Sequence, residues 1–184
     1  MKVTKRETAF EGKYLRLVRK TSVTPTNEEV IWETVERTNV CGNGAVGIVA
    51  LTRKGEFILE RHWRAPIESY VIQFPGGLTD NHQESPEETA RRELREETGY
   101  EANELVLFLS VPTCPGLSSS TVGFYFAPEV EYTGDVKRDI AEEMEILTIP
   151  KNDLPKFLLN LPDNTILDLK VPGIIWLLAT KRLI

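Results

Sequence analysis

A mixed α/β sheet covered by helices is the fold class this sequence predicts. Two observations carry it: β-branched and aromatic runs outnumber helical ones, and the helical stretches are few and set apart from one another. Both disfavour a doubly wound parallel sheet, where strands and helices would alternate. At 184 residues, 41% hydrophobic and 27% charged, the chain can bury the core of one domain with a small appendage.

In chain order, KYLRLVRKTSV (13–23) and EEVIWETVERT (28–38) read as a hairpin around TPTN. AVGIVALT (45–52) and EFILERHW (56–63) flank a turn at Lys54-Gly55, and SYVIQF (69–74) is a strand ended by Pro75-Gly76-Gly77. A charged helix follows. Ser85 caps it, Pro86 suits its first position, Glu88 completes an S-x-x-E capping box, and Gly99 is placed to end it. ELVLFLSV (104–111), TVGFYFAPEV (121–130) and MEILTIP (144–150) return to strand, while KNDLPKFLLN (151–160) and VPGIIWLLATKRL (171–183) close the chain as helices. The organisation expected is an N-terminal β region at 1–42 and a main domain at 43–184.

A net charge of −6 argues against a nucleic-acid backbone or an anionic membrane as the main partner. Cys41 and Cys114 are too few for a disulfide framework and lack metal-ligand spacing, so a reducing cytosol is expected. MKVTKRETAF has no apolar core after its charges, unlike a signal peptide. The apolar run GIIWLLA falls far short of the roughly 20 residues of a membrane span. GNGAVG (42–47) fits G-x-G-x-x-G, but it runs into a β-branched segment, whereas a dinucleotide fingerprint must open a helix. These glycines read as a joint between the hairpin and the main sheet.

The charged helix poses the main question. Ala90 and Leu94, four apart, can face the sheet, while Glu93, Glu96 and Glu97 stand at i, i+3 and i+4 and converge on one patch. Each like-charge pair at that spacing costs about 0.2–0.5 kcal/mol. A solvated face compensated by Arg92 and Arg95 is one reading; converging carboxylates are also the ligand set of hard divalent cations such as Mg²⁺.

The longer pattern bears on that choice. Glu84, then seven residues, then Arg92-Glu93-Leu94-x-Glu96-Glu97-x-Gly99-Tyr100 resembles the Nudix box, G-x5-E-x7-R-E-U-x-E-E-x-G-U with U apolar or aromatic. It departs once: six residues separate Gly77 from Glu84, and Gln83 stands where a Gly usually precedes the Glu. WETVERT, ERHWRAP, IQFPGGL, CPGLSSST and IPKNDL are similar to segments of the ADP-sugar (ADP-ribose) pyrophosphatase branch of that family. Pro115, 15 residues beyond Tyr100, falls at that branch's marker proline. The likeness spans roughly residues 10–160.

The resemblance implies a Nudix fold, a mixed sheet between helices, with N-terminal strands exchanged in a homodimer. It implies hydrolysis of the pyrophosphate of ADP-ribose or a related nucleoside diphosphate sugar, with Mg²⁺ or Mn²⁺, to a nucleoside monophosphate and a sugar phosphate. Glu93, Glu96, Glu97 and the Gly76 carbonyl would hold metal, and Arg92 would join Glu93 and Glu97 in the catalytic set, with Glu84 as its partner. Glu142, ahead of Glu143 and Glu145, would be the distal acid that orients or deprotonates water. Arg37, Arg64 and Leu78 would contact substrate, a guanidinium fork suiting phosphate oxygens. Tyr14 and Trp32 would sandwich the base, although Tyr14 stands where a Trp is common. Surface ion pairs for the two arginines and a dimer contact for the two aromatics are the alternatives.

His62 and His82 lack partners at ligand spacing and read as structural or surface groups; Trp63 and Trp176 read as core or interface. The GLSSS serines have no His or Lys at a recognisable spacing, which leaves little for a serine hydrolase. Two rival functions stay open: an enzyme preferring another sugar nucleotide such as GDP-mannose, and a silent nucleotide-sensing domain. The intact Arg92–Glu97 run argues against the second.

Overall fold

A computed structural model describes residues 1–40, 44–79, 83–137 and 143–184. The chain opens with β1 (Lys2–Glu11), β2 (Leu15–Val23) and β3 (Glu29–Arg37), an antiparallel sheet in the order β1-β2-β3. β2 and β3 are the expected hairpin, in register from Leu15↔Arg37 to Val23↔Glu29. β1 was not legible beforehand. KVTKRETAFE is exposed along its whole length, so it has no apolar alternation to read, and the backbone ladder to β2 defines it.

The main sheet collects β4 (Gly44–Thr52), β5 (Glu56–Arg64), β6 (Ser69–Gln73), β7 (Tyr100–Ala102), β8 (Val106–Pro112), β9 (Thr121–Tyr132), β10 (Met144–Pro150) and β11 (Thr165–Leu167). Its order is β11-β6-β5-β4-β9-β7, with β10 added against β5 and β8 against β9. β4–β9 and β11–β6 pair parallel and the other pairs antiparallel, so the sheet is mixed, as expected. β7 and β11 have three residues each, too few to show a period.

Period-two alternation divides the core between the two faces. Val46, Ile48 and Ala50 of β4 and Ile58 of β5 face α1 (Pro86–Thr98), where Ala90 and Leu94 are fully buried. Val49, Leu51, Phe57, Leu59, Phe124 and Phe126 face the other way, under α2 (Leu154–Leu159) and α3 (Lys170–Thr180), which contribute Leu154, Val171, Ile174 and Leu178. Both closing helices are shorter than the sequence suggested. Lys151–Asp153 form a turn before α2, with Pro155 in its first turn, and α3 passes into a turn at Lys181.

The N-terminal sheet meets the main body where Val35 N–H donates to the Leu117 carbonyl, 2.9 Å away. The boundary expected at 42/43 lies outside the described residues. Among the described residues, no helix is long and apolar enough to cross a membrane.

Candidate active site

The acidic helix is built as its sequence suggests. Ser85 Oγ accepts the Glu88 N–H at 3.2 Å and Glu88 Oε2 accepts the Ser85 N–H at 2.7 Å, a complete capping box. At the other end Gly99 takes the left-handed conformation (φ 73°) and donates to the Arg95 carbonyl at 2.8 Å. With Ala90 and Leu94 buried against the sheet, the adjoining side of the helix turns Glu93, Glu96 and Glu97 toward a cleft of about 670 Å³.

The segment after β6 shapes the cleft floor. Ile48 N–H donates to the Pro75 carbonyl (2.8 Å) and Val46 N–H to the Gly77 carbonyl (2.9 Å), so Pro75–Gly77 runs along β4. A Cβ on Gly76 would collide with the Val46 carbonyl, and one on Gly77 with the Glu93 carboxylate. The two glycines are therefore what lets the loop and the helix acids approach. The Gly76 N–H donates to Glu97 Oε2 at 2.8 Å.

Arg92 organises the remaining acids. Its Nε donates to Glu84 Oε2 (3.2 Å), and its Nη1 lies 3.1 Å from Glu96 Oε2 and 3.0 Å from Glu93 Oε1. Burial opposes its charge, but Glu93, Glu96 and Glu84 outweigh that and raise its pKa above the usual arginine range. Glu84 thus partners the helix arginine despite the extra loop residue. One guanidinium among these acids still leaves the patch strongly negative.

Glu97 is 3% exposed, and its carboxyl is held well above the ordinary range, by burial first and then by the charge of Glu60. Glu60 is a partner the sequence reading missed. It lies fully buried on β5 beside His62, whose Nδ1 is 3.8 Å from Glu60 Oε2. Gln73 Nε2 donates to Glu60 Oε2 (3.1 Å), and Arg64 Nε and Nη2 donate to Gln73 Oε1 (3.0 and 2.7 Å). Glu60 and His62 occupy alternate positions of an apolar strand; that pattern, Ile58-x-Glu60-x-His62 facing the acidic helix, was the available signal.

Arg37, Arg64, Gly76, Leu78, Arg92, Glu93, Glu96 and Glu97 all line the one cleft, and Lys137 and Lys170, not singled out before, line it too. Tyr14 and Trp32 do not. They lie about half exposed in the N-terminal region, at 54% and 50%. Glu142 lies outside the described residues, as does His82. Glu143 accepts a short hydrogen bond from the Tyr70 hydroxyl, and Glu145 is exposed on β10 opposite Arg61. Trp63 makes an edge contact with Tyr70 (centroids 5.3 Å apart), whereas Trp176 is 66% exposed and outside the core.

Known proteins share this architecture. The NUDIX domain model matches residues 43–168. An ADP-sugar pyrophosphatase of Mus musculus is 34% identical over 166 residues, 83% of this chain and 74% of that protein. An ADP-ribose pyrophosphatase of Bacillus subtilis is 34% identical over 115 residues, covering 61% of each chain. A solved structure described as an ADP compounds hydrolase superposes with a TM-score of 0.73 at 25% identity, over 86% of this chain and 83% of that one.

Proposed function

The chain belongs to the Nudix family, and from that premise we propose that it hydrolyses the pyrophosphate bond of ADP-ribose or a related nucleoside diphosphate sugar. One observation carries the proposal: a single cleft lined both by Glu93, Glu96 and Glu97 and by Arg37 and Arg64. A diphosphate needs both signs around it, cations for its charge and a polarised water for attack.

The acids fit a divalent cation. They are close, partly desolvated, and left with excess negative charge after Arg92 is counted. Glu93, Glu96 and Glu97 with the Gly76 carbonyl would hold Mg²⁺, or Mn²⁺ in its place. Held there, such a cation would supply Lewis acidity that offsets diphosphate charge and makes water a stronger acid.

The rest falls to the chain itself. Arg92, fixed by Glu84, holds Glu93 and Glu96 in one orientation, and the Gly76 N–H does the same for Glu97. Arg64, anchored through Gln73, and Arg37 present guanidinium forks to phosphate oxygens. We assign Leu78 to the same substrate surface and Glu142 to the proton taken from the attacking water. Tyr14 and Trp32 would stack on the base, each such contact being worth about 1–3 kcal/mol. Their absence from the lining of the single-chain cleft, with the exposed Phe10 and Ile31 of the same sheet, supports a homodimer that brings the aromatics of one protomer to the other. A cytosolic location, from the cysteine usage, belongs to the same proposal.

The test is a panel of nucleoside diphosphate sugars, including ADP-ribose and GDP-mannose, incubated with Mg²⁺ in isotopically labelled water. ADP-ribose should give the highest kcat/KM, with labelled oxygen in one phosphate product. A higher value for GDP-mannose would transfer the proposal to that substrate, and absence of turnover across the panel would refute it.

A further inference from the structure

The strand side of the cleft carries donors that the Nudix motif does not include. Glu60 and His62 stand two residues apart on β5, hence on one face, and that face meets Glu97 of α1. One ligand atom from each of the three lies within 4.8 Å of the other two. All are buried, with Glu60 at 0%, His62 at 6% and Glu97 at 3% exposure.

Among the described residues His62 Nδ1 is buried without a hydrogen-bond partner, and buried Glu60 Oε1 has none beyond a proton shared with the Glu97 carboxyl. A buried polar atom left unsatisfied costs about 1–3 kcal/mol, and more when charged. Apolar residues at positions 60 and 62 would escape that cost, as Ile58 does on the same face. The cost is explained if a ligand fills the space.

We propose that Glu60, His62 and Glu97 form a cation position of mixed nitrogen and oxygen donors, selective for a divalent transition metal such as Mn²⁺ or Zn²⁺ over Mg²⁺. The donor types decide the class. Mg²⁺ takes oxygen and keeps its water, whereas an imidazole nitrogen suits the transition ions. Bonds of roughly 2.1 Å at cis or tetrahedral angles place ligands about 3–3.4 Å apart, so the three side chains draw together on binding. The surroundings favour it. Gln73 holds the other Glu60 oxygen and is itself held by Arg64, which orients the carboxylate as an outer-shell partner does. Glu97 is shared with the acids of α1, so this position adjoins the helix cluster without requiring the hydrolysis proposed above.

The test loads the full chain with saturating Mn²⁺ and reads nitrogen coupling by electron spin echo spectroscopy. The chain has two histidines, His62 and His82. The coupling should appear in wild type and in His82→Asn, vanish in His62→Asn, and persist under millimolar Mg²⁺. Glu60→Gln should weaken Mn²⁺ binding at least about tenfold by direct titration. A wild-type spectrum without nitrogen coupling overturns the proposal, whether or not any variant folds. So does coupling that survives His62→Asn or disappears under Mg²⁺. No readout involves turnover, so this inference and the proposed hydrolysis can fail separately.

Discussion

Removing divalent cations should leave a protein that becomes less stable as pH rises, and Glu97 is the reason. Its carboxyl is held above the ordinary range by burial and by Glu60, so the folded chain keeps a proton that the unfolded chain loses above about pH 4.5. Where the folded state binds more protons, stability falls with increasing pH. One such group gives a slope of at most about 1.36 kcal/mol per pH unit, or about 2.7 kcal/mol between roughly pH 5.5 and 7.5. Acids of the opposite kind do not obscure that window. Glu36 is lowered by the Lys20 ammonium and Glu88 by the Ser85 N–H, so both are ionised, folded or unfolded, above about pH 5.5. The assay is urea unfolding in chelator across that range, for wild type and Glu97→Gln. Subtracting the variant cancels groups remote from Glu97 and leaves the titration of the Glu97–Glu60 pair. Mg²⁺ should remove the slope, because a bound cation requires the ionised carboxylate and expels the proton. A wild-type slope equal to that of Glu97→Gln, or a stability that rises with pH, would refute the account of Glu97 as a protonated acid beside a like charge.

Three further outcomes are expected. Gly77→Ala should displace the Glu93 carboxylate and cut kcat by at least tenfold, while circular dichroism shows the fold retained; unchanged turnover would contradict the close approach. Ser85→Ala removes one half of the capping box and should cost about 1 kcal/mol, a fall in Tm of about 2–4 °C. Light scattering should give twice the chain's mass of 20.9 kDa, since the N-terminal sheet leaves Phe10, Ile31 and Trp32 in water; a monomer would also remove the proposed route of Tyr14 and Trp32 to the base.

What the sequence made legible follows the range of the physics involved. The capping box, the helix bounds and the 93/96/97 convergence depend on neighbours within four residues, and Ser85, Gly99 and the glutamates declare them directly. The run of β-branched and aromatic residues was enough for β4, β5, β6, β9 and β10, which pack into the two cores. It failed for β1, where every residue is exposed, and for the three-residue β7 and β11, which the partner strand defines. The site divides in the same way. Arg92 and the helix acids could be read as a motif, but Glu60 meets Glu97 across 36 intervening positions that only the packing of α1 on β5 closes. His62 illustrates the limit: with no ligand-spaced neighbour in sequence it read as structural or surface, and only the fold brings it near Glu60 and Glu97.

The position of Glu97 shows why this arrangement resists a purely stabilising explanation. A core designed for stability alone would not set Glu60 and Glu97 together beneath a helix already carrying Glu93 and Glu96, since each added buried carboxylate raises the cost of ionising the others. Arg92 sets its guanidinium against Glu84, Glu93 and Glu96. A proton on Glu97 relieves that cost, and a cation would relieve it with the carboxylate ionised. Under the proposed hydrolysis, a cation there would offset the net charge of −6 toward a diphosphate, whose oxygens Arg37 and Arg64, lining the same cleft, would meet.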